Sequence, residues 1–114
     1  MYKEIIELTL KQGGYTLENE NNGRYVVATG INEAIVEELN ETVLKEYHDT
    51  IKSLDNKNYT LGTWFNKKNG LFYLDTVELV DDLEIAKKLG KERNEIAIYD
   101  LKENVEIELN DYLM

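Results

Sequence analysis

At 114 residues, with no Cys, 23 acids against 13 Lys and Arg and a net charge of −10, the chain is sized for one domain (1–114) around a single core. That balance repels phosphate backbones and anionic membranes, so direct nucleic-acid or membrane binding is disfavoured and basic surfaces attract instead. There is no run of about 18 apolar residues and no charged-then-apolar leader. Without Cys, disulfide and thiolate chemistry are excluded, and a reducing cytoplasm is the expected setting.

In chain order, Met1 to Gln12 carries two patterns. Ile6, Leu8 and Leu10 alternate as in a strand, whereas Tyr2, Ile5, Ile6 and Thr9 share a helical stripe. The following Gly13-Gly14, a common helix stop, favours the helix. GYTLE and RYVVAT then flank the Asn/Gly-rich NENNG and predict a hairpin. From Ile31 to Leu54, residues Ile35, Val36, Leu39, Val43, Leu44, Tyr47, Ile51 and Leu54 recur at helical spacing. Asn40 suits the N-cap of a segment starting at Glu41, so one bent helix and two separate pieces both fit.

DNKN at 55–58 is a turn by composition. After it, Tyr59, Leu61, Thr63 and Phe65 share one side of a strand, and Thr60, Gly62 and Trp64 the other. Asn69-Gly70 marks a tight hairpin turn. On the return, Leu71, Tyr73, Asp75, Val77 and Leu79 face one way, and Phe72, Leu74, Thr76, Glu78 and Val80 the other. Both faces are largely apolar near the turn, so each is expected to be covered. VDDLEIAKKLGKERN reads as a helix with Asp81 and Glu84 at capping-box spacing. EIAIY and VEIEL close the chain as strands, with Val105, Ile107 and Leu109 pointing inward. The sum is an α+β domain of about six mostly antiparallel strands in hairpins, packed with two or three helices.

Little in this sequence carries chemistry. His48 is the only His, and with no Cys a zinc site has no ligand set; as a general base it lacks a nucleophile placed by spacing. Asp75, an acid among apolar neighbours, fits either a general acid or a carboxylate that fixes the hairpin by accepting hydrogen bonds, and the second is the simpler. Local spacing sets no second carboxylate beside it. Asp81-Asp82 resembles a metal pair, but capping accounts for it. No calcium loop, phosphate-binding loop, dinucleotide fingerprint or nucleophile elbow is present, so no metal, cofactor or enzymatic activity is expected.

The acids are unevenly placed. If 31–54 is helical, Glu37, Glu38, Glu41 and Asp49 fall along one side of it, opposite the apolar stripe, and Asp81, Asp82 and Glu84 cluster before the next helix. Rows of this kind imitate a phosphate backbone or form an ordinary solvated face. Residues 57–70 reverse the balance, with Lys57, Lys67, Lys68 and no acid, and contain Trp64.

Residues 62–101, GTWFNKKNGLFYLDTVELVDDLEIAKKLGKERNEIAIYDL, follow an ordered pattern: G-x-W, a Gly turn, Y-L-D, an acid before a helix with A-x-x-L-G, then I-A-I-x-D-L. In this they resemble a small uncharacterised domain of bacteriophage and mobile-element proteins, and GGYTL and GRYVVATG are similar to its opening hairpin. The resemblance implies a setting in a bacterial host and no residue roles. Small acidic phage proteins of this kind resemble inhibitors of host defence, including anti-CRISPR proteins, many of which act by stoichiometric binding. The resulting expectation is a protein that binds and blocks a basic, nucleic-acid-handling host protein through Glu37, Glu38, Glu41, Asp49, Asp81, Asp82, Glu84 and Trp64. The alternative is an accessory module that dimerises or docks through its aromatic hairpin.

Overall fold

The computed structural model describes residues 1–18 and 23–109, so that 19–22 of the predicted NENNG turn lie outside them. In chain order the elements are α1 (Tyr2–Gln12), β1 (Gly14–Thr16), β2 (Tyr25–Ala28), β3 (Ala34–Val36), α2 (Glu41–Ser53), β4 (Tyr59–Asn66), β5 (Leu71–Val80), α3 (Leu83–Glu92), β6 (Ala97–Asp100) and β7 (Val105–Glu108). Every strand pairing is antiparallel, in the order β1-β4-β5-β2-β6-β7, and β3 pairs with β5. This is the α+β architecture that the periodicities predict, with seven strands among the described residues.

The helix ends follow local rules. Gly13 stops α1 in the left-handed region at φ 91°, and its N–H donates to the Thr9 carbonyl. The Asn40 side chain accepts from the Val43 N–H, which fixes the start of α2. Asn40→Ala is therefore expected to cost about 1 kcal/mol, measured by chemical denaturation. At α3 the cap is Asp82, which accepts from the Ile85 N–H, one residue later than the capping box predicted at Asp81.

The longest hairpin organises everything else. β4 and β5 pair from Tyr59↔Glu78 to Asn66↔Leu71, so Leu61, Thr63, Phe65, Phe72, Leu74 and Thr76 share one face. Ile5 of α1 and Leu44, Tyr47 and Ile51 of α2 pack on it beside Leu61, Phe72 and Leu74. Ala86 of α3 extends the same layer over Tyr25, Val27 and Ile98. All three helices thus cover one face, where the apolar stripes find strands to bury against.

The opposite face is divided. At one end Val26, Val77 and Leu79 are buried, with Tyr99 and Leu101 packed on them. Near the 66–71 turn the same face carries no helix among the described residues, and Trp64 is 48% exposed. The expectation of two covered faces near the turn is therefore corrected. Along β5 the fully buried side chains switch faces between Thr76 and Val77, because the helices cover one side and the curled sheet the other.

Three further readings are corrected. The segments around Tyr15 and Tyr25 do not pair with each other: β1 joins β4 and β2 joins β5, because the long hairpin offers an edge to each. The apolar period from Ile31 to Leu54 contains a strand, not one helix, since β3 occupies 34–36 and α2 begins only after Asn40. Finally, Val105 on the edge strand β7 is exposed, whereas Ile107 and Leu109 pack towards α3.

Candidate functional site

β2 and β3 lie in line along the same edge of β5. Ala28 pairs with Val77 and Ala34 with Leu74, so five residues, 29–33, stand against two, Asp75 and Thr76. The excess is folded into a tight loop: Gly30 and Asn32 adopt positive φ (77° and 54°), which Gly and Asn tolerate better than other residues. The Thr76 carbonyl accepts from both the Thr29 N–H (3.1 Å) and the Thr29 hydroxyl (2.7 Å), anchoring the loop base. The chain therefore returns to β5 with Glu33 beside Asp75 in register, close enough for its carboxyl to act on that of Asp75.

This pairing has an electrostatic consequence. Burial, then the hydrogen bond and charge of Glu33, then Glu95, push the Asp75 carboxyl up to about 7. Glu95 is itself pushed up by burial and by Glu33. Asp100 shows the opposite case: Arg24 grips it with bonds of 2.9 and 2.8 Å and holds it down at about 2. Among the described residues no cation forms an ion pair with Asp75, Glu33 or Glu37.

Beside the acids runs an apolar row. Trp64 of β4 pairs with Tyr73 of β5, and Tyr73 pairs in turn with Ile35 of β3, so the three side chains share the helix-free face. The Trp64 and Tyr73 rings lie 5.0 Å apart between centroids, and Ile35 is 53% exposed. Gly62 lies opposite Asp75; a Cβ there would come within 3.1 Å of Val77 Cγ1, so a side chain would crowd the sheet at this point.

The residues expected from sequence to bind are scattered. Glu37 and Glu38 lie in a bend after β3, not on a helix, so they cannot share a helical row with Glu41 and Asp49. Glu41 opens α2, and Asp49 is engaged by Lys45 at 2.7 Å and by Lys52 at 3.9 Å. Asp82 is a cap, with Asp81 before it and Glu84 in the first turn of α3. Only Trp64 and Glu37 fall near the helix-free patch. Sequence reasoning missed Glu33, Ile35 and Glu95; the signal for the first two was TGIN, a turn-like break just ahead of the β-branched run at Ile35-Val36.

His48 is not a free surface side chain. Its Nδ1 lies 2.9 Å from the Tyr2 hydroxyl, bridging α2 to α1, and burial holds its pKa down. It sits with the helices, across the sheet from Asp75, so the two are not brought together. Two open concavities of about 370 and 360 Å³ adjoin Gly23 and Leu79; Asp75, Tyr73 and Trp64 line neither. Among the described residues no group of three or more His, Asp or Glu is placed to hold a metal ion, and no helix is long and apolar enough to cross a membrane. No protein-family model, no curated protein and no solved structure matches this chain, and its site is therefore defined by its own geometry.

Proposed function

We propose that this protein binds a basic surface of a host protein and blocks it stoichiometrically, as a phage or mobile-element inhibitor of an anti-CRISPR-like kind, in the host cytoplasm. The observation that carries the reading is the helix-free face, where Trp64, Tyr73 and Ile35 lie next to Glu33 and Asp75, carboxyls with no partner cation among the described residues. Aromatic side chains supply large contact area at small entropic cost, which is why they dominate binding hot spots. Carboxylates crowded against one another gain most from an incoming Arg or Lys, because it relieves their mutual repulsion. A net charge of −10 steers such a partner in from a distance. The proposal moves the working surface from the acidic helices to the sheet, since Asp49 is neutralised by its own Lys neighbours and Asp82 is occupied as a cap.

The direct test is affinity for purified nucleic-acid-handling effectors of bacterial defence as salt rises from about 50 to about 500 mM. Affinity is expected to fall at least about tenfold over that range, and Trp64→Ala to weaken it by about thirtyfold, the scale of a hot-spot truncation. The sole Trp gives a second readout, its emission shifting to the blue as the partner covers it. Affinity indifferent to salt, or undisturbed by Trp64→Ala, would overturn the proposal, and self-association through the same face would replace it with the docking-module alternative.

A further inference from the structure

Among the described residues β3 is paired on one side only, with β5 as its partner strand. The Leu79 N–H of β5 donates to Asn58 ahead of β4, and the Thr76 carbonyl accepts from Thr29 after β2. Odd-numbered residues of β5 therefore turn their backbone groups to β4, and even-numbered ones turn theirs to β2 and β3. Ala34 and Val36, opposite Leu74 and Phe72, bond to β5; Ile35, opposite Tyr73, turns its N–H and C=O outward, where no described residue meets them.

An open edge of this kind is a template for another strand, and natural proteins guard such edges with charge. Here the guards are asymmetric in effect. Glu33 and Glu37 stand two residues either side of Ile35, both exposed. A second copy pairing antiparallel about Ile35 would set Glu33 against Glu37 twice, and like charges directly opposite are destabilising. A strand with Lys or Arg at those two positions meets opposite charge instead.

We propose that the outer edge of β3 receives an extended segment of the partner protein as an added antiparallel strand, with a basic residue at each of two positions flanking an apolar one. The inference rests on the proposed binding of a basic partner and specifies how that partner is held. The central residue of the incoming strand exchanges both backbone bonds with Ile35, and its side chain lies against Ile35 beside Tyr73. The flanking cations meet Glu33 and Glu37, next to the raised carboxyl of Asp75.

The probe is the blocked peptide Thr-Lys-Thr-Val-Thr-Lys-Thr, titrated into the isotope-labelled full chain at low salt and followed by amide chemical shifts. Saturable shifts centred on the Ile35 amide are expected at millimolar peptide, with that amide gaining protection from exchange. Methylating the peptide's Val nitrogen removes a bond to the Ile35 carbonyl and is expected to weaken binding about fivefold or more. Methylating the adjacent Thr nitrogen, which points to solvent, is expected to leave it unchanged. Replacing both Lys by Glu, or making Glu33→Gln with Glu37→Gln in the protein, is expected to weaken binding about fivefold or more. If Val N-methylation has no effect while the charge changes do, strand addition is overturned and the basic-partner reading stands. If neither the charge changes nor N-methylation matters, or no saturable binding occurs, both are overturned.

Discussion

Leu44→Ala is expected to cost the fold about 3 to 4 kcal/mol, the range for emptying a fully buried leucine position that its neighbours cannot refill. Leu44 is 0% exposed and sits in the main cluster with Ile5, Tyr47, Ile51, Leu61, Phe72 and Leu74, drawn from α1, from α2 itself and from the sheet. Those walls are themselves fixed by strand register, so the cavity has little freedom to close. Set against the 5 to 15 kcal/mol typical of whole domains, about 3 kcal/mol is a large share of the total. A fall in melting temperature of roughly 10 °C or more follows. Val43, one residue earlier on α2, is only partly buried at the margin of the same cluster, and Val43→Ala is expected to cost about 1 kcal/mol or less. Equal losses for the two variants, read by denaturant titration, would show that α2 does not seat Leu44 in the core as described.

The second large effect concerns protons. Asp75 titrates near 7 in the folded chain and near 3.9 when unfolded. Between those values the folded protein holds a proton that the unfolded chain has lost, so stability falls as pH rises from about 4 to about 7 and levels off above. Asp75→Asn supplies a neutral group able to donate to Glu33 at every pH. Above pH 7 it is therefore expected to be more stable than the parent by about 1 to 2 kcal/mol, after allowance for the solvent screening that a half-buried carboxyl receives. Below about pH 4 the difference should vanish.

Other groups titrate in the same window. Glu95 is also raised and contributes with the same sign, while His48 is lowered and opposes it, favouring the fold as pH rises towards 6.5. The measurement is thus the difference between variant and parent, from about pH 4 to about pH 8, in which the His48 contribution cancels. A difference that stays constant across the range would show that the Asp75 carboxyl is not raised in the folded chain.

Local chemistry was legible wherever one element explained it. The stripe of Leu83, Ile85, Ala86 and Leu89 marked α3, Asn69-Gly70 marked the long hairpin, and Asn40 marked the start of α2. The sequence misled at Ile31 to Leu54 because Ile35 and Val36 happen to fall in phase with the stripe of α2. Short β-branched runs are ambiguous between strand and helix, and only an available strand edge on β5 resolves this one. Acids were over-weighted for a related reason: composition counts Asp49 and Asp82 as free charges, whereas Lys45 and a helix N-terminus use them.

By itself, then, the sequence determined one acidic, Cys-free α+β chain, its hairpin core and the Asn40 cap of α2. What only the tertiary structure decided is non-local. Pairing β2 and β3 in line on one edge of β5 forces out the loop at 29–33 and brings Glu33 to Asp75, 42 residues away in sequence. Seating all three helices on one face leaves Trp64, Tyr73 and Ile35 on the other. Period-two spacing tells which side chains share a face of a strand, but what covers that face is settled by every other element at once.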